Sequence, residues 1–153
     1  MRKAVIITAI AICLVGCASN PPYGNYAAAP PAYNHAMALD TVSHMAKQYP
    51  PAHTQLHLMQ PFDDNYGKAL VEGLRSRGYS VREFVSDGKT EAHTPGVRSE
   101  GQGIPLHYLV DSLSPNADLY RVTLIVGTNQ FSRAYVQQKN GTVVPAGSWS
   151  RKE

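Results

Sequence analysis

The first 34 residues limit what this chain can fold into more than any other part of it. Arg2 and Lys3 precede an apolar run from Ala4 to Val15, which stops abruptly at Gly16-Cys17. Twelve residues cover about 18 Å as a helix, well short of the ~30 Å hydrocarbon core of a bilayer. A basic start, an apolar segment of roughly 7–15 residues and small residues at its end are the parts of a secretory signal. Leu14-Val15-Gly16-Cys17 adds the layout in which the cysteine becomes the new N-terminus and carries lipid. Residues 1–16 are therefore expected to be a lipoprotein signal peptide, and Cys17 a lipidation site with a diacylglyceryl group and an amide-linked acyl chain. The competing reading is a buried N-terminal helix or an uncleaved anchor. The abrupt stop and the unrelated stretch that follows count against it.

That stretch, Ala18 to Asn34, has two Pro pairs, three tyrosines (Tyr23, Tyr26, Tyr33) and no charge. It lacks the apolar residues for a core and reads as a disordered, partly polyproline-like tether. At about 3.1 Å per residue its reach is roughly 50 Å. It is either a passive spacer or a strap that docks on a neighbouring protein through its tyrosines. The expected organisation is thus a signal at 1–16, lipidated cysteine and tether at 17–34, and one periplasmic domain at 35–153.

Cysteine usage agrees with this layout. The only cysteines are Cys13, inside the apolar run, and Cys17. Signal removal discards Cys13, so the mature chain can form no internal disulfide and, with Cys17 acylated, keeps no free thiol. Without Arg2 and Lys3 there remain 12 basic and 11 acidic side chains, close to +1. Strong attraction to nucleic acid is not indicated. Charged residues make up 16% of the chain, below the ~25% of an ordinary soluble domain. Ala18, rather than Asp, follows the cysteine, which points to the periplasmic face of the outer membrane and leaves the inner membrane as the alternative.

Within 35–153 the patterning alternates between helix and strand. Ala38, Val42, Met45, Ala46 and Tyr49 repeat at helical spacing until Pro50-Pro51, which ends a helix. Leu56 and Leu58 alternate in a strand. Asp63 or Asp64 is suited to cap a second helix with the stripe Tyr66, Leu70 and Leu74; Gly73 allows close approach and Gly78 serves as a left-handed stop. Tyr79 to Val85 reads as a strand and Ser86 to Gly103 as a long polar loop. Strands are then expected over Ile104–Val110, Leu119–Val126, Phe131–Val136 and Thr142–Val144. Turns at Ser114-Pro115-Asn116, Gly127-Thr128-Asn129 and Asn140-Gly141 join them. The expected fold class is α+β: two helices packed on one face of a mainly antiparallel sheet of about five strands.

No constellation of catalytic type stands out. His53 and His57 would lie about 13 Å apart along a strand, too far to share one zinc ion. Asp40 and His44, at i and i+4, read as a surface pair. Asp63-Asp64 could be imagined as paired carboxylates, but their place before a helix favours capping. Glu100-Gly101-Gln102-Gly103 lacks the third glycine and lysine of a phosphate-binding loop. Asn140-Gly141-Thr142 matches a glycosylation acceptor and reads as a turn. No metal or further cofactor is expected, and the chain is read as not an enzyme. If it were one, His93, His107 and Glu100 in or beside the long loop would be the candidates. The C-terminal Trp149, close to Arg151 and Lys152, is either a lid over the sheet edge or a partner anchor with Arg151, since Trp and Arg are enriched at interfaces.

Several segments together resemble the TrbH lipoproteins of conjugative plasmids. They are the Cys17 signal, Tyr49-Pro50-Pro51-Ala52, Leu74-Arg75-Ser76-Arg77-Gly78-Tyr79, Arg121 to Gly127, Phe131-Ser132-Arg133-Ala134-Tyr135 and Trp149-Ser150-Arg151-Lys152-Glu153. The resemblance implies membership of a mating-pair-formation apparatus, a type IV secretion system that moves plasmid DNA between cells. Its partners would be other subunits of the secretion core complex. Only Cys17 transfers as a functional position. The alternatives from the residues alone are a general envelope lipoprotein that binds peptidoglycan or pilots a secretin, and a periplasmic enzyme.

Overall fold

The computed structural model describes residues 23–85, 103–114 and 118–152. The expected signal peptide, Cys17, Pro115, Asn116 and all but the last residue of the 86–103 loop, with His93 and Glu100, lie outside the described residues. In chain order the elements are β1 (Gly24–Asn25), α1 (Pro31–Gln48), a 3-10 turn (Pro51–His53), β2 (Gln55–Leu58), α2 (Asn65–Ser76), β3 (Ser80–Arg82), β4 (Ile104–Ser112), β5 (Leu119–Val126), β6 (Asn129–Gln137), β7 (Val143–Pro145) and β8 (Ser150–Lys152). The α+β class with two helices holds. The sheet, however, is mixed and has eight strands, in the order β3-β2-β4-β5-β6-β7, with β1 also on β4 and β8 also on β6.

The departure from a mainly antiparallel sheet has a simple cause. β2, α2 and β3 form a strand–helix–strand unit, and a helical crossover returns the chain to the same end of the sheet, so β2 and β3 run parallel. β4 also runs parallel to β2, with Leu56 opposite Ile104 and Leu58 opposite Leu106. Only from β4 onward do hairpin links give antiparallel pairs. The β5–β6 hairpin turns at Gly127, whose φ of 61° is the left-handed geometry such a tight link requires.

Alternation sets the layers. Leu106, Tyr108 and Val110 of β4, Tyr120, Val122, Leu124 and Val126 of β5, and Phe131 and Tyr135 of β6 are buried on one face. α1 and α2 cover that face, contributing Met37, Ala38, Val42 and Met45 from one helix and Tyr66, Leu70, Val71 and Leu74 from the other. Burying each such large side chain contributes about 1.5–3 kcal/mol. The two helices approach closely at Gly73, where a Cβ would stand 2.9 Å from Val42 Cγ2. The opposite face, with His107, Leu109, Arg121 and Ile125, is half-buried and carries no helix among the described residues.

The N-terminal boundary moves. The tether was expected to extend to Asn34, yet α1 begins at Pro31. A proline in the first helical turn loses no helical bond, because that N–H would be orphaned anyway. The Pro pair that reads as extended chain is therefore a helix start. Upstream of it Gly24 and Asn25 pair in parallel with Leu109 and Val110, and Tyr26 N donates to Val110 O at 2.8 Å. Residues 23–30 form a strap that belongs to the domain.

Candidate functional site

Two part-buried polar hubs fix the two ends of the described chain, and both are built on carboxylates. The first is Asp64. Its Oδ1 accepts from Tyr66 N and Gly67 N, each at 2.9 Å, and so caps α2. Its Oδ2 accepts from Tyr108 OH at 2.5 Å, and Asn25 Nδ2 reaches Oδ1 at 3.3 Å. Asn25 Nδ2 also donates to Asn34 Oδ1 at 2.9 Å, and Asn34 in turn donates to the carbonyls of Ala29 and Pro30. The strap, the start of α2 and β4 thus meet at one carboxylate, and Asn25 links the start of α1 to it. Burial, reinforced by the bond to Asp64, pushes the Tyr108 phenol well above its ordinary value, so it acts as a fixed donor.

β4 is completed along this edge by three different devices. Met59 N bonds Leu106 O, and Tyr26 N bonds Val110 O. Between them the Gln60 side chain mimics a strand, donating to Tyr108 O and accepting from Tyr108 N, both at 3.1 Å. Gln60 is buried, and its amide fills the gap that β1 and β2 leave between them.

The second hub is Asp40 on α1. Its carboxylate accepts from Arg133 Nη1 at 3.0 and 2.9 Å, Tyr135 OH at 2.6 Å and Trp149 Nε1 at 3.2 Å. Burial first, and then its bond to Asp40, raise the Tyr135 phenol far above its usual range. Arg133 Nε also donates to Gly147 O at 2.8 Å. The Trp149 indole stacks on His44 with ring centres 4.6 Å apart and 17° between planes; His44 sits edge-on to Phe131 at 5.0 Å. The chain between β7 and β8 is thereby clamped onto α1.

Several expected roles change accordingly. Asp40 and His44 are not a surface pair: Asp40 directs its oxygens to Arg133, Tyr135 and Trp149, and His44 packs between two aromatic rings with Nε2 buried and unpartnered. Burial lowers the His44 pKa from 6.5, Asp40 opposing and Lys47 and Arg133 adding to the shift. Tyr33 is not available to a partner, being 6% exposed with its ring edge-on to Tyr120 at 6.1 Å. Tyr23 lies on the open sheet face, 4.1 Å from the His107 ring, and Tyr26 is 52% exposed. Trp149 is folded back as a lid, and Arg151 is on the surface with Nη2 bonded to Asn129 Oδ1. His53 sits exposed in the 3-10 turn rather than on the strand with His57. Of the two candidate caps, Asp64 takes the role and Asp63 remains exposed.

Asp40, Arg133, Asn25 and Asn34 were not singled out by their own sequence environment as parts of shared hubs. Asp40 and its partners stand 93 to 109 positions apart, and nothing local to either signals the bond. In both hubs each carboxylate oxygen already accepts from at least one fixed donor of the protein. They hold the chain together rather than offering a group to a substrate. Among the described residues no three or more of His, Cys, Asp and Glu gather where they could hold a metal ion, and no helix is long and apolar enough to cross a membrane.

The fold and its hubs define a two-layer α+β domain whose polar clusters are structural. Comparison with curated proteins and with solved structures returns no match. The chain does match the sequence profile of a family described as conjugal transfer protein TrbH, over residues 20–153. It belongs to that family, which is one of conjugal transfer proteins and not a family of enzymes.

Proposed function

We propose that this protein is an outer-membrane lipoprotein that serves as a structural or assembly component of a conjugative type IV secretion apparatus. Lipid on Cys17 fixes one end to the periplasmic face of the outer membrane, and the α+β domain docks on larger subunits of the transfer channel. The observation that carries this reading is family membership over residues 20–153, directly downstream of the Leu14-Val15-Gly16-Cys17 signal. The Asp40 and Asp64 hubs support it, since carboxylates engaged by fixed donors suit a scaffold better than a reaction centre. Stable attachment takes two or more acyl chains, which a diacylglyceryl cysteine supplies.

The test is Cys17→Ser in plasmid-bearing cells. Incorporation of labelled palmitate should disappear, the protein should leave the outer-membrane fraction, and transfer frequency should fall at least tenfold. A variant that is still labelled and still sediments with the outer membrane would sink the anchoring claim. Crosslinking in mating cells should capture channel subunits; capture of peptidoglycan or a secretin instead would overturn the assembly role.

A further inference from the structure

The strap changes the distance at which such an anchor would hold the domain. Pairing of Gly24 and Asn25 with Leu109 and Val110 fixes the chain from Tyr23 onward. Cys17 stands six residues before Tyr23. Six residues span at most about 22 Å whatever path they take, against roughly 50 Å for a tether that reaches residue 34. A domain of this size is about 35 Å across. The linker is shorter than the domain it holds, so the side that carries Tyr23 must stay near the lipid.

That side has the chemistry of a surface that meets headgroups. The Tyr23 ring lies against His107 on the helix-free face. Tyr26, bonded through its N–H to Val110 O, is 52% exposed, and Leu113, just past the end of β4, is 43% exposed. Tyrosine places an apolar ring below a polar hydroxyl, which suits the membrane–water interface. Arg121 pairs with Asp111 across β4 and β5, which leaves the exposed Asp118, next to the Leu119 that bonds Leu113, as the acidic side chain at that end. Such a patch needs no anionic lipid. Its own affinity can be low, because a linker of a few residues gives an effective concentration on the order of millimolar.

We infer that the Tyr23–Tyr26–Leu113 side of the domain rests on the lipid surface to which Cys17 is anchored. The inference rests on acylation of Cys17 as proposed above. It is tested with the acylated full-length protein carrying Leu113→Cys, or Glu72→Cys on the exposed side of α2 as the reference. Each is labelled with an environment-sensitive dye and placed in phosphatidylethanolamine–phosphatidylglycerol vesicles that contain a lipid-borne quencher. The label at 113 should be quenched at least threefold more than that at 72, and Tyr26→Ser should reduce the difference. Equal quenching at the two positions, with the protein still floating with the vesicles, would overturn the seating and leave the anchor standing. A protein that does not float with the vesicles would overturn both. Quenching at 113 that is absent in vesicles, together with crosslinking from 113 to a protein in cells, would assign the patch to a protein partner and refute the inference.

Discussion

Removing the Asp64 carboxylate tests the N-terminal hub most directly. Asp64→Ala deletes the cap of α2, which costs about 1 kcal/mol. It also strands Tyr108 OH, whose next acceptor is Pro61 O at 3.4 Å. A buried hydroxyl without a good acceptor costs a further ~1–3 kcal/mol. The Asn25 contact, at 3.3 Å, adds little. Together the expected loss is about 3 kcal/mol, a large share of the 5–15 kcal/mol typical of a domain. Tyr108→Phe alone should cost about 1 kcal/mol, because it removes a donor but leaves Asp64 its other partners. In the double variant no stranded phenol remains, so the two losses should fall short of their sum by about 1–2 kcal/mol. Urea unfolding of the mature chain with Cys17→Ser, followed by circular dichroism, measures all four states of the cycle. Additivity to within about 0.3 kcal/mol, or an Asp64→Ala loss below 1 kcal/mol, would refute the account of Asp64 as the joint of helix and sheet.

The two glycines of α2 give an internal comparison: an added Cβ at Gly67 would sit 2.3 Å from Tyr108 OH and 2.8 Å from Phe62 Cβ, while at Gly73 it would meet Val42 Cγ2 at 2.9 Å. Helix propensity favours alanine at both by about 1 kcal/mol, so Gly73→Ala should come out near neutral and Gly67→Ala lose roughly 2 kcal/mol through overpacking; equal midpoints in urea would contradict this geometry. The second hub predicts a pH effect. His44 has a folded-state pKa lowered from 6.5, so the unfolded chain takes up its proton first and stability is lost as pH falls from 6.5 toward the lowered value. His44→Phe keeps a ring against Trp149 and should flatten that part of the stability–pH curve; an unchanged slope would show that His44 does not titrate as placed.

Much of the fold was legible because it follows from local chemistry. The stop at Pro50-Pro51, the Asp64 cap and the positive φ of Gly78 each depend on a few neighbouring residues. Two features were misread for physical reasons. Alternation identifies a strand but is silent about its direction; here the helix between β2 and β3 supplies the crossover that a parallel pair needs. Residues 23–34 have the composition of a linker, yet they are held by backbone pairing to β4 and by Asn25 and Asn34, which composition alone does not weigh. The hubs were illegible because each bond joins residues far apart in the chain. Asp40 and Trp149 look like a helix-surface acid and a loose terminal aromatic until the fold brings them to 3.2 Å.

On the proposed anchoring through Cys17, the strap decides how the position of the anchor reaches the domain. A flexible linker would let the domain sample a volume tens of ångströms wide, and its contacts with a channel would then decide its orientation. A strap that pairs backbone to backbone with β4 instead fixes the chain to the sheet from Tyr23 onward. The family match begins at residue 20, three residues before the described strap, so the matched region takes in the strap and does not start at the helix. The Asp40 hub does the same at the other end, fastening β7, Trp149 and β8 to α1. Of the aromatic residues first considered for partner contact, Tyr33 and Trp149 are engaged inside the fold, while Tyr23 and Tyr26 stand where the chain leaves for Cys17. On the proposed anchoring through Cys17, the strap side faces lipid, and the C-terminal end, with Arg151 and Lys152 exposed on β8, is the surface we propose for a partner protein. Charge reversal at Arg151 and Lys152 should then weaken crosslinking to channel subunits without releasing the protein from the membrane, and loss of membrane association in that variant would refute the division.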